Sequence, residues 1–243
     1  MFALYLKEIR SFLSSLIGYI VMVVFLIVVG LFLWVFSTDF NILDYGYANV
    51  DGLFIIAPFV FLFLVPAVTM RSFSEEQKSG TMELLFTRPL TDMQIITAKY
   101  LAGLTLIVFS IIPTIVYFVS VWYLGLPQGN IDIGGFWGSF IGLLLLGASF
   151  VSIGIFASSL TDNQVVSFVL AIVLSAFVYL GFEFVYSLEM FGTFDLFIRS
   201  LGISAHYSAV SKGVIDTRDL VYFASVIILF LFLTKLSLAR RKW

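Results

Sequence analysis

Apolar residues follow one another in long runs along this chain, and polar residues gather between the runs. A membrane-spanning helix needs about 20 mostly apolar residues, and six runs fit this requirement. They cover residues 16–36, 53–70, 100–124, 136–160, 165–186 and 220–239. The last run is short unless the Lys235 side chain reaches towards the membrane surface. The pattern predicts an all-α integral membrane protein with six transmembrane helices in a single domain, residues 1–243.

The composition is that of a membrane protein and excludes several functional classes. Hydrophobic residues make up 61% of the chain and charged residues 12%, against about 25% charged residues in soluble domains. The chain has no cysteine, which excludes disulfides, a thiolate nucleophile and cysteine metal sites. A net charge of -2 gives no reason to expect nucleic acid as a partner. No pair of base and nucleophile indicates an intramembrane protease or transferase.

The basic residues predict the orientation of the six spans. Of the 13 lysines and arginines, all but Arg199, Lys212 and Arg218 fall on one side if the spans alternate. Cytoplasmic loops carry the excess of basic residues, so both termini are predicted to lie in the cytoplasm. The first run is too long for a cleaved signal peptide and is interpreted as a retained span. The expected location is the bacterial inner membrane.

Small residues and prolines indicate how the spans pack. The four-residue turn 161–164 makes the fourth and fifth spans an antiparallel hairpin. Gly138 and Gly142 form a GxxxG pattern, and with the further small residues Gly147, Ala148, Ser152 and Gly154 they would let the two helices of this hairpin approach closely. The prolines within spans two and three, which are Pro58, Pro66 and Pro113, are predicted to kink those helices.

The N-terminal 16 residues have the periodicity of an amphipathic helix. Apolar residues recur at three- and four-residue steps, at Phe2, Leu6, Ile9, Leu13 and Leu16. This favours a helix lying in the cytoplasmic membrane interface. The alternative is a plain extension of the first span.

The loop between spans two and three, RSFSEEQKSGTMELLFTRPLT, concentrates charge and helix-end signals. Ser72 and Glu75 match a capping box that would begin a short polar helix, and Gly80 would end it. Thr91 and Gln94 match a second capping box, which would begin the third helix at Thr91. Leu90 and Ile95 stand at the matching hydrophobic staple positions.

An apolar patch interrupts this polar loop. It consists of Met82, Leu84, Leu85 and Phe86, and an exposed apolar patch usually marks a contact surface. The patch predicts that the loop binds another protein.

The run EEQKSGTMELLFTRPLTDMQIITAKY resembles the cytoplasmic loop of ABC-2 type transporter permeases. That family has the pattern E-x-x-x-G-T-x-E-x-L-L before a proline and the third helix. The matching residues here are Glu76, Gly80, Thr81, Glu83, Leu84, Leu85, Pro89 and Lys99. Both ends of the chain are similar to that family as well. The most similar branch is the permease subunits linked to bacterial gliding motility, and copper-enzyme maturation permeases come second.

The resemblance implies a type V exporter fold with an N-terminal interfacial helix, six spans and a cytoplasmic coupling helix. It also implies short re-entrant helices within residues 187–219. A coupling helix contacts the partner ATPase, and the resemblance assigns this role to Ser74, Glu75, Glu76, Lys78, Gly80, Thr81, Glu83, Leu84, Leu85 and Pro89.

The expected partners follow from the same resemblance. The sequence has no G-x-x-x-x-G-K-[ST] motif, so this chain is expected to be neither an enzyme nor a cofactor-binding protein. ATP and Mg²⁺ would be bound by separate ABC ATPase subunits. A second membrane permease chain, in the gliding branch one with a large extracytoplasmic domain, and membrane lipid complete the expected partners.

Two alternative functions of the chain stay open. The chain could be a non-transporting anchor that docks a cytoplasmic protein, or a secondary carrier. A carrier usually has buried charges in its path, and only Glu183 comes near the membrane interior. It is interpreted as an interfacial carboxylate.

His206 has no second histidine with which to bind a metal, and is interpreted as a structural residue.

Overall fold

The computed structural model describes residues 1–44, 46–83, 89–189 and 192–240, apart from the side chains of Ile17 and Thr193. Within these residues every regular element is a helix. The α-helices are α1 (Phe2–Ser14), α2 (Leu16–Trp34), α3 (Asp51–Thr69), α4 (Ser74–Lys78), α5 (Asp92–Ile111), α6 (Ile115–Leu124), α7 (Ile133–Leu160), α8 (Gln164–Ala176), α9 (Phe182–Ser187), α10 (Asp195–Ser200), α11 (Ile203–Val210) and α12 (Thr217–Arg240).

Five continuous helical stretches are long and apolar enough to cross a membrane. They are Asp51–Lys78, Asp92–Leu124, Ile133–Leu160, Gln164–Ser187 and Thr217–Arg240. The bent pair of α1 and α2 supplies a sixth candidate span, with an angle of 64° between Phe2–Ser14 and Gly18–Trp34. The all-helical fold class is therefore confirmed, with five to six candidate membrane-spanning helices.

The bend between α1 and α2 has a local cause. Ser15 adopts an extended conformation between the two helices, and its hydroxyl accepts a hydrogen bond from the Gly18 amide at 3.4 Å. This caps the first turn of α2. The chain therefore changes direction at Ser15, and α1 is a separate helix that packs along α5 rather than a plain extension of α2.

Helix α7 is the centre of the bundle and packs against α3, α5, α8 and α12. Its most apolar stretch is 78% buried, whereas that of Gln164–Ser187 is 22% buried. The small residues of α7 explain this position, because glycine, alanine and serine let a neighbouring helix approach closely where they occur. A Cβ at Gly103 of α5, facing α7, would already meet Val151 at 3.0 Å.

The glycines of α7 do approach other elements closely, but the expected partner is wrong for them. Gly138 and Gly142 face Gly213 and Val210, at the end of α11, instead of the hairpin neighbour α8. Gly147 and Gly154 face α5 and α3. The hairpin itself is present, since α7 ends at Leu160 and α8 begins at Gln164, where the Asn163 side chain caps the helix. Because α7 is surrounded by other elements, its glycines face α3, α5 and the end of α11 rather than α8, the helix that follows it in the sequence.

The prolines act differently in the two helices. Pro113 coincides with a 3₁₀ turn, Ile112–Thr114, that separates α5 from α6. Pro58 and Pro66 lie inside α3, which continues from Asp51 to Thr69.

The bundle has two ends, which we name by the short helices found there. The α4 end contains α1, α4, the turn at residues 161–163 and the end of α12. The α11 end contains the loops at residues 35–44, 46–50 and 125–132 together with α10 and α11. The two short helices α10 and α11 lie within residues 187–219, where short helices were predicted, and Tyr207 of α11 donates a hydrogen bond to the Phe54 carbonyl at 2.7 Å.

Candidate functional site

Helix α4 is capped by another helix rather than by its own residues. The Ser158 hydroxyl, fully buried at the end of α7, accepts hydrogen bonds from the Phe73 amide at 2.8 Å and the Ser74 amide at 3.1 Å. It also donates to the Met70 carbonyl at 3.2 Å. The predicted capping box of Ser72 and Glu75 is wrong, because α4 begins at Ser74 and has no side-chain cap of its own. Ser158 satisfies the amides that a cap would serve.

The other end of α4 follows the sequence prediction. Gly80 has a φ of +68°, a conformation that favours glycine. The Thr81 amide donates to the Glu76 carbonyl at 3.0 Å, and the Gly80 amide donates to the Gln77 carbonyl at 3.2 Å. This pair of bonds is a Schellman motif, so the predicted stop at Gly80 is confirmed.

The inward face of α4 is attached to α7 and, through it, to α12. Ser74 is fully buried, and its hydroxyl donates to the Met70 carbonyl. The Gln77 side chain donates to the Ser159 carbonyl at 3.2 Å, and Ser237 of α12 donates to the same carbonyl at 3.1 Å. A displacement of α4 would therefore pull on the ends of two long helices.

A charge cluster connects α4 to α1 and α5. Lys99 of α5 lies 3.1 Å from Glu8 of α1 and 3.0 Å from Glu76 of α4, measured from Nζ to the carboxylate oxygens. Its ammonium also lies 5.2 Å from the centre of the Phe73 ring, within the range of a cation–π contact. The Lys99 side chain is 2% exposed, and those of Glu8 and Glu76 are 10% and 14% exposed. One buried cation therefore joins three separate helices.

Lys7 completes the cluster on its solvent side. Its ammonium lies 3.3 Å from Glu8 and 3.4 Å from Glu76, and its side chain is 61% exposed. Partial burial works to lower the pKa of Lys7, but the two carboxylates outweigh it and the pKa is raised above 10.5. Lys7 therefore carries its charge at neutral pH, so the cluster contains two cations for two carboxylates.

The outward face of the loop is exposed. Of the residues that the family resemblance assigned to ATPase contact, Ser74 is buried and Glu76 turns inward to Lys99. The exposed ones are Glu75, Lys78, Gly80, Thr81, Glu83 and Pro89. Leu84 and Leu85 lie outside the described residues.

The predicted apolar patch needs a correction at Met82. This side chain is 9% exposed and belongs to the main hydrophobic core, so it is not part of an exposed contact surface. Phe86, like Leu84 and Leu85, lies outside the described residues. The second capping box is confirmed by reciprocal bonds between Thr91 and Gln94.

The arrangement is a short polar helix with one anchored and one exposed face, at one end of an apolar bundle. The model of the ABC-2 family transporter proteins matches residues 2–240. The chain belongs to the ABC-2 family. It is a multi-pass membrane permease subunit, and this family supplies the membrane part of a transporter rather than its ATPase. Membership implies partnership with an ABC ATPase. A comparison with curated proteins finds no match.

Sequence reasoning missed two parts of this permease's site. Lys99 matched the family pattern, but nothing in the sequence paired it with Glu8, which is 91 residues away. A signal for Glu8 exists in hindsight, because Leu4 and Phe12 stand one turn before and after it and both pack on the core. Ser158 had no signal, since serines are frequent throughout α7.

Glu183 and His206 lie at the opposite, α11 end. Glu183 contacts Arg199 at 3.4 Å and Ser204 at 3.3 Å, and is 40% exposed. His206 contacts Asp219 at 2.6 Å through Nδ1, and its Nε2 donates to the Ser200 carbonyl at 2.9 Å. Both ring nitrogens of His206 therefore have partners within the chain.

Proposed function

We propose that this permease subunit is driven by a separate ABC ATPase that contacts the exposed face of α4 and the turn after it. In this proposal α4 is the coupling helix, and it passes the closing movement of the ATPase to the spans. The observation that carries the proposal is that α4 has one face attached to the bundle and one exposed face. Its inner face is attached to α1, α5 and α7, whereas Glu75 and Lys78 on α4, and Glu83 after it, are exposed.

The energetic demand on such an element is high. Shifting a two-state membrane domain from 1:99 to 99:1 requires about 5.5 kcal/mol of differential binding. A loosely tethered loop would move without moving the helices behind it. The buried Lys99 bridge and the Ser158 hydrogen bonds give α4 separate connections to the bundle, which supports a role in transmitting force.

The proposal places the α4 end in the cytoplasm. The described basic residues at this end are Lys7, Arg10, Arg71, Lys78, Lys99, Lys235 and Arg240, whereas Arg199, Lys212 and Arg218 belong to the α11 end. By the positive-inside rule this distribution supports a cytoplasmic location for both termini, and the membrane in this proposal is the bacterial inner membrane. ATP and Mg²⁺ would be bound by the partner, and lipid would cover the apolar sides of the bundle.

The finer assignment is export of a substrate, or mechanical transmission to an extracytoplasmic domain, in the gliding-motility branch of the family. The support is the sequence resemblance of the loop and of both chain ends. In that branch a second membrane permease chain with a large extracytoplasmic domain would complete the unit. Purification from the native membrane, with identification of the proteins that accompany the chain, tests this assignment directly.

The absence of cysteine makes a clean cross-linking test possible. Lys78→Cys introduces a single thiol on the exposed face of α4, and Leu126→Cys introduces a matched thiol at the α11 end, where Leu126 is 93% exposed. We expect Lys78→Cys to cross-link to the co-purified ATPase and to react with a membrane-impermeant thiol reagent only in inverted vesicles. Leu126→Cys should show the reverse accessibility and no ATPase cross-link. Labelling of Lys78→Cys from the outside of intact cells would overturn the proposal.

A second experiment separates a coupling helix from a simple anchor. Glu83→Lys reverses one exposed charge in the residues that follow α4. Loss of the permease-dependent change in ATP hydrolysis, with the ATPase still bound, supports coupling. Loss of binding alone fits the anchor. Proton-driven uptake that disappears in Glu183→Gln would instead support the secondary carrier.

A further inference from the structure

The imidazole ring of His206 joins three helices at the α11 end. From α11 it reaches Asp219 in the first turn of α12, with 2.6 Å between Nδ1 and Oδ1, and the carbonyl of Ser200, the last residue of α10, with 2.9 Å between Nε2 and the oxygen. The side chains of His206 and Asp219 are 19% and 10% exposed. The ring also stacks on Tyr222 of α12, with 3.9 Å between the ring centres.

These two hydrogen bonds fix the number of protons that the His206–Asp219 pair must hold. The Ser200 carbonyl can only accept, so Nε2 carries a proton. The contact between Nδ1 and Oδ1 needs a second proton between its two atoms. A neutral imidazole has one N–H and one lone pair, and beside an ionised Asp219 it can make only one of the two bonds. Both bonds therefore exist together only when the pair holds two protons.

The end of α10 has few other connections to the bundle. Asp195 is the one buried residue of this helix. Its Arg199 pairs with Glu183 of α9, but both side chains are about 40% exposed, and exposed ion pairs contribute little. The Tyr222 hydroxyl donates to the carbonyl of Leu201, just after the helix, at 2.7 Å. Segments with few buried contacts open locally at low cost, so the bond from His206 matters for the position of α10.

The other ionisable groups that the neighbouring elements contribute ordinarily titrate outside pH 5–8. Helix α7 contributes none, and the turn 177–181 and α12 contribute Tyr179 and Tyr222. The charged residues around α11 are Glu183, Asp195, Arg199, Lys212, Asp216, Arg218 and Asp219. The hydrogen bond from the Arg218 amide lowers the pKa of Asp216, so Asp216 stays ionised in this range. Histidine is the side chain that ordinarily changes charge between pH 5 and 8, and the chain has one histidine.

We propose that His206, Asp219 and the Ser200 carbonyl form a pH-operated latch that holds the end of α10. With two protons on the His206–Asp219 pair, both bonds are made. When the pH rises through the range in which histidine titrates, one proton leaves. The ring then keeps the stronger, charge-assisted bond to Asp219 and releases Ser200. The connection to α10 is therefore present at acidic pH and lost as the pH rises.

The latch acts on one wall of a cleft at this end. Arg199 of α10 lines a cleft of about 250 Å³, together with Phe59 of α3, Glu183 of α9 and Tyr207 of α11. Release of α10 changes how this cleft is closed. In the proposed topology the α11 end lies outside the cytoplasm, so the latch responds to the pH on that side of the membrane.

Nuclear magnetic resonance of the full chain with ¹⁵N-labelled histidine tests the protonation directly, because the only signal comes from His206. We expect both ring nitrogens to carry protons at pH 5.5 and only Nδ1 to carry one at pH 8. A ring that keeps the same protonation state from pH 5 to pH 8 would overturn the proposal. Retention of the Nε2 proton at pH 8 would contradict the release of Ser200.

Hydrogen exchange of the Leu201 amide reports on the release, because this amide belongs to the same peptide group as the Ser200 carbonyl. His206→Phe keeps a ring against Tyr222 but makes neither bond. At pH 5.5 its Leu201 amide should exchange about tenfold faster than that of the parent, since a hydrogen bond from a charged donor contributes at least about 1.4 kcal/mol, which is a factor of ten. At pH 8 the two proteins should exchange alike. Comparison at a single pH removes the intrinsic effect of pH on exchange.

Asp219→Asn provides the opposite variant. A side-chain amide can donate to Nδ1, so a neutral imidazole can then serve both neighbours and keep its bond to Ser200. At pH 8 the Leu201 amide of Asp219→Asn should therefore exchange about tenfold more slowly than that of the parent. Asp216→Asn is the matched control, because Asp216 is exposed and three residues away, and it should follow the parent at both pH values.

A purely structural role for His206 predicts a different pattern. In that case Asp219→Asn would exchange as fast as the parent or faster at pH 8, and this result would overturn the latch even if His206→Phe failed to fold. None of these measurements includes the ATPase, so failure here and failure of the Lys78→Cys cross-link are distinguishable.

Discussion

Removing the charge of Lys99 tests the physical basis of the connection between α4 and the bundle. Lys99→Met keeps the apolar stem of the side chain and deletes the ammonium that bridges Glu8 and Glu76. Two poorly exposed carboxylates would then face one cleft without their shared buried cation. Deleting one partner of a buried ion pair costs about 3–5 kcal/mol. We expect about 3 kcal/mol, because Glu8 and Glu76 keep some access to water.

Lys7→Met is the matched control for this variant. Lys7 contacts the same two carboxylates at 3.3 and 3.4 Å, but its side chain is 61% exposed instead of 2%. Exposed ion pairs contribute up to about 1 kcal/mol, so Lys7→Met should destabilise the fold by less than that amount. The two variants have the same residue type, charge change and carboxylate partners, and they differ in burial and in the contact of Lys99 with the Phe73 ring.

The assay is unfolding by sodium dodecyl sulfate in mixed micelles, followed by intrinsic tryptophan fluorescence. A third variant combines Lys99→Met with Glu8→Gln and Glu76→Gln, and it should recover much of the lost stability because no uncompensated buried charge remains; Lys7, which loses both partners, is 61% exposed. Equal destabilisation by Lys99→Met and Lys7→Met would refute the reasoning, since burial would then not determine the effect. If the triple variant were as unstable as Lys99→Met, packing rather than charge would be responsible.

Two further predictions concern how α7 contacts its neighbours. Gly154→Ala should destabilise the bundle by about 1–3 kcal/mol, as overpacking does, because the added Cβ would overlap a threonine hydroxyl of α3. Gly134→Ala is the control, because a Cβ at Gly134 makes only ordinary contacts. Equal unfolding midpoints for the two variants in the same assay would contradict the prediction. Ser158→Ala should cost about 1–2 kcal/mol, as loss of a helix cap does, and should speed hydrogen exchange of the Ser74 amide. The exposed Ser225→Ala should leave that exchange rate unchanged.

The sequence by itself determined which segments are helices and where several of them begin and end. Apolar runs of membrane length fixed the long helices, because their composition leaves no other way to satisfy the backbone in lipid. Gly80 and Thr91 marked helix ends through hydrogen bonds that reach only three to five residues along the chain. Signals of this kind are local, and the sequence contains all of their parts.

The tertiary structure alone decided how α4 is held. Its cap comes from Ser158, 84 residues away from Ser74, and its charge partner Lys99 is shared with Glu8, 91 residues away. Many serines and several charges in the chain have the chemistry for these contacts. Only the packing of α1, α5 and α7 around α4 selects which of them meet, because an unpaired polar group in a buried position is costly and each pairing depends on the placement of whole helices.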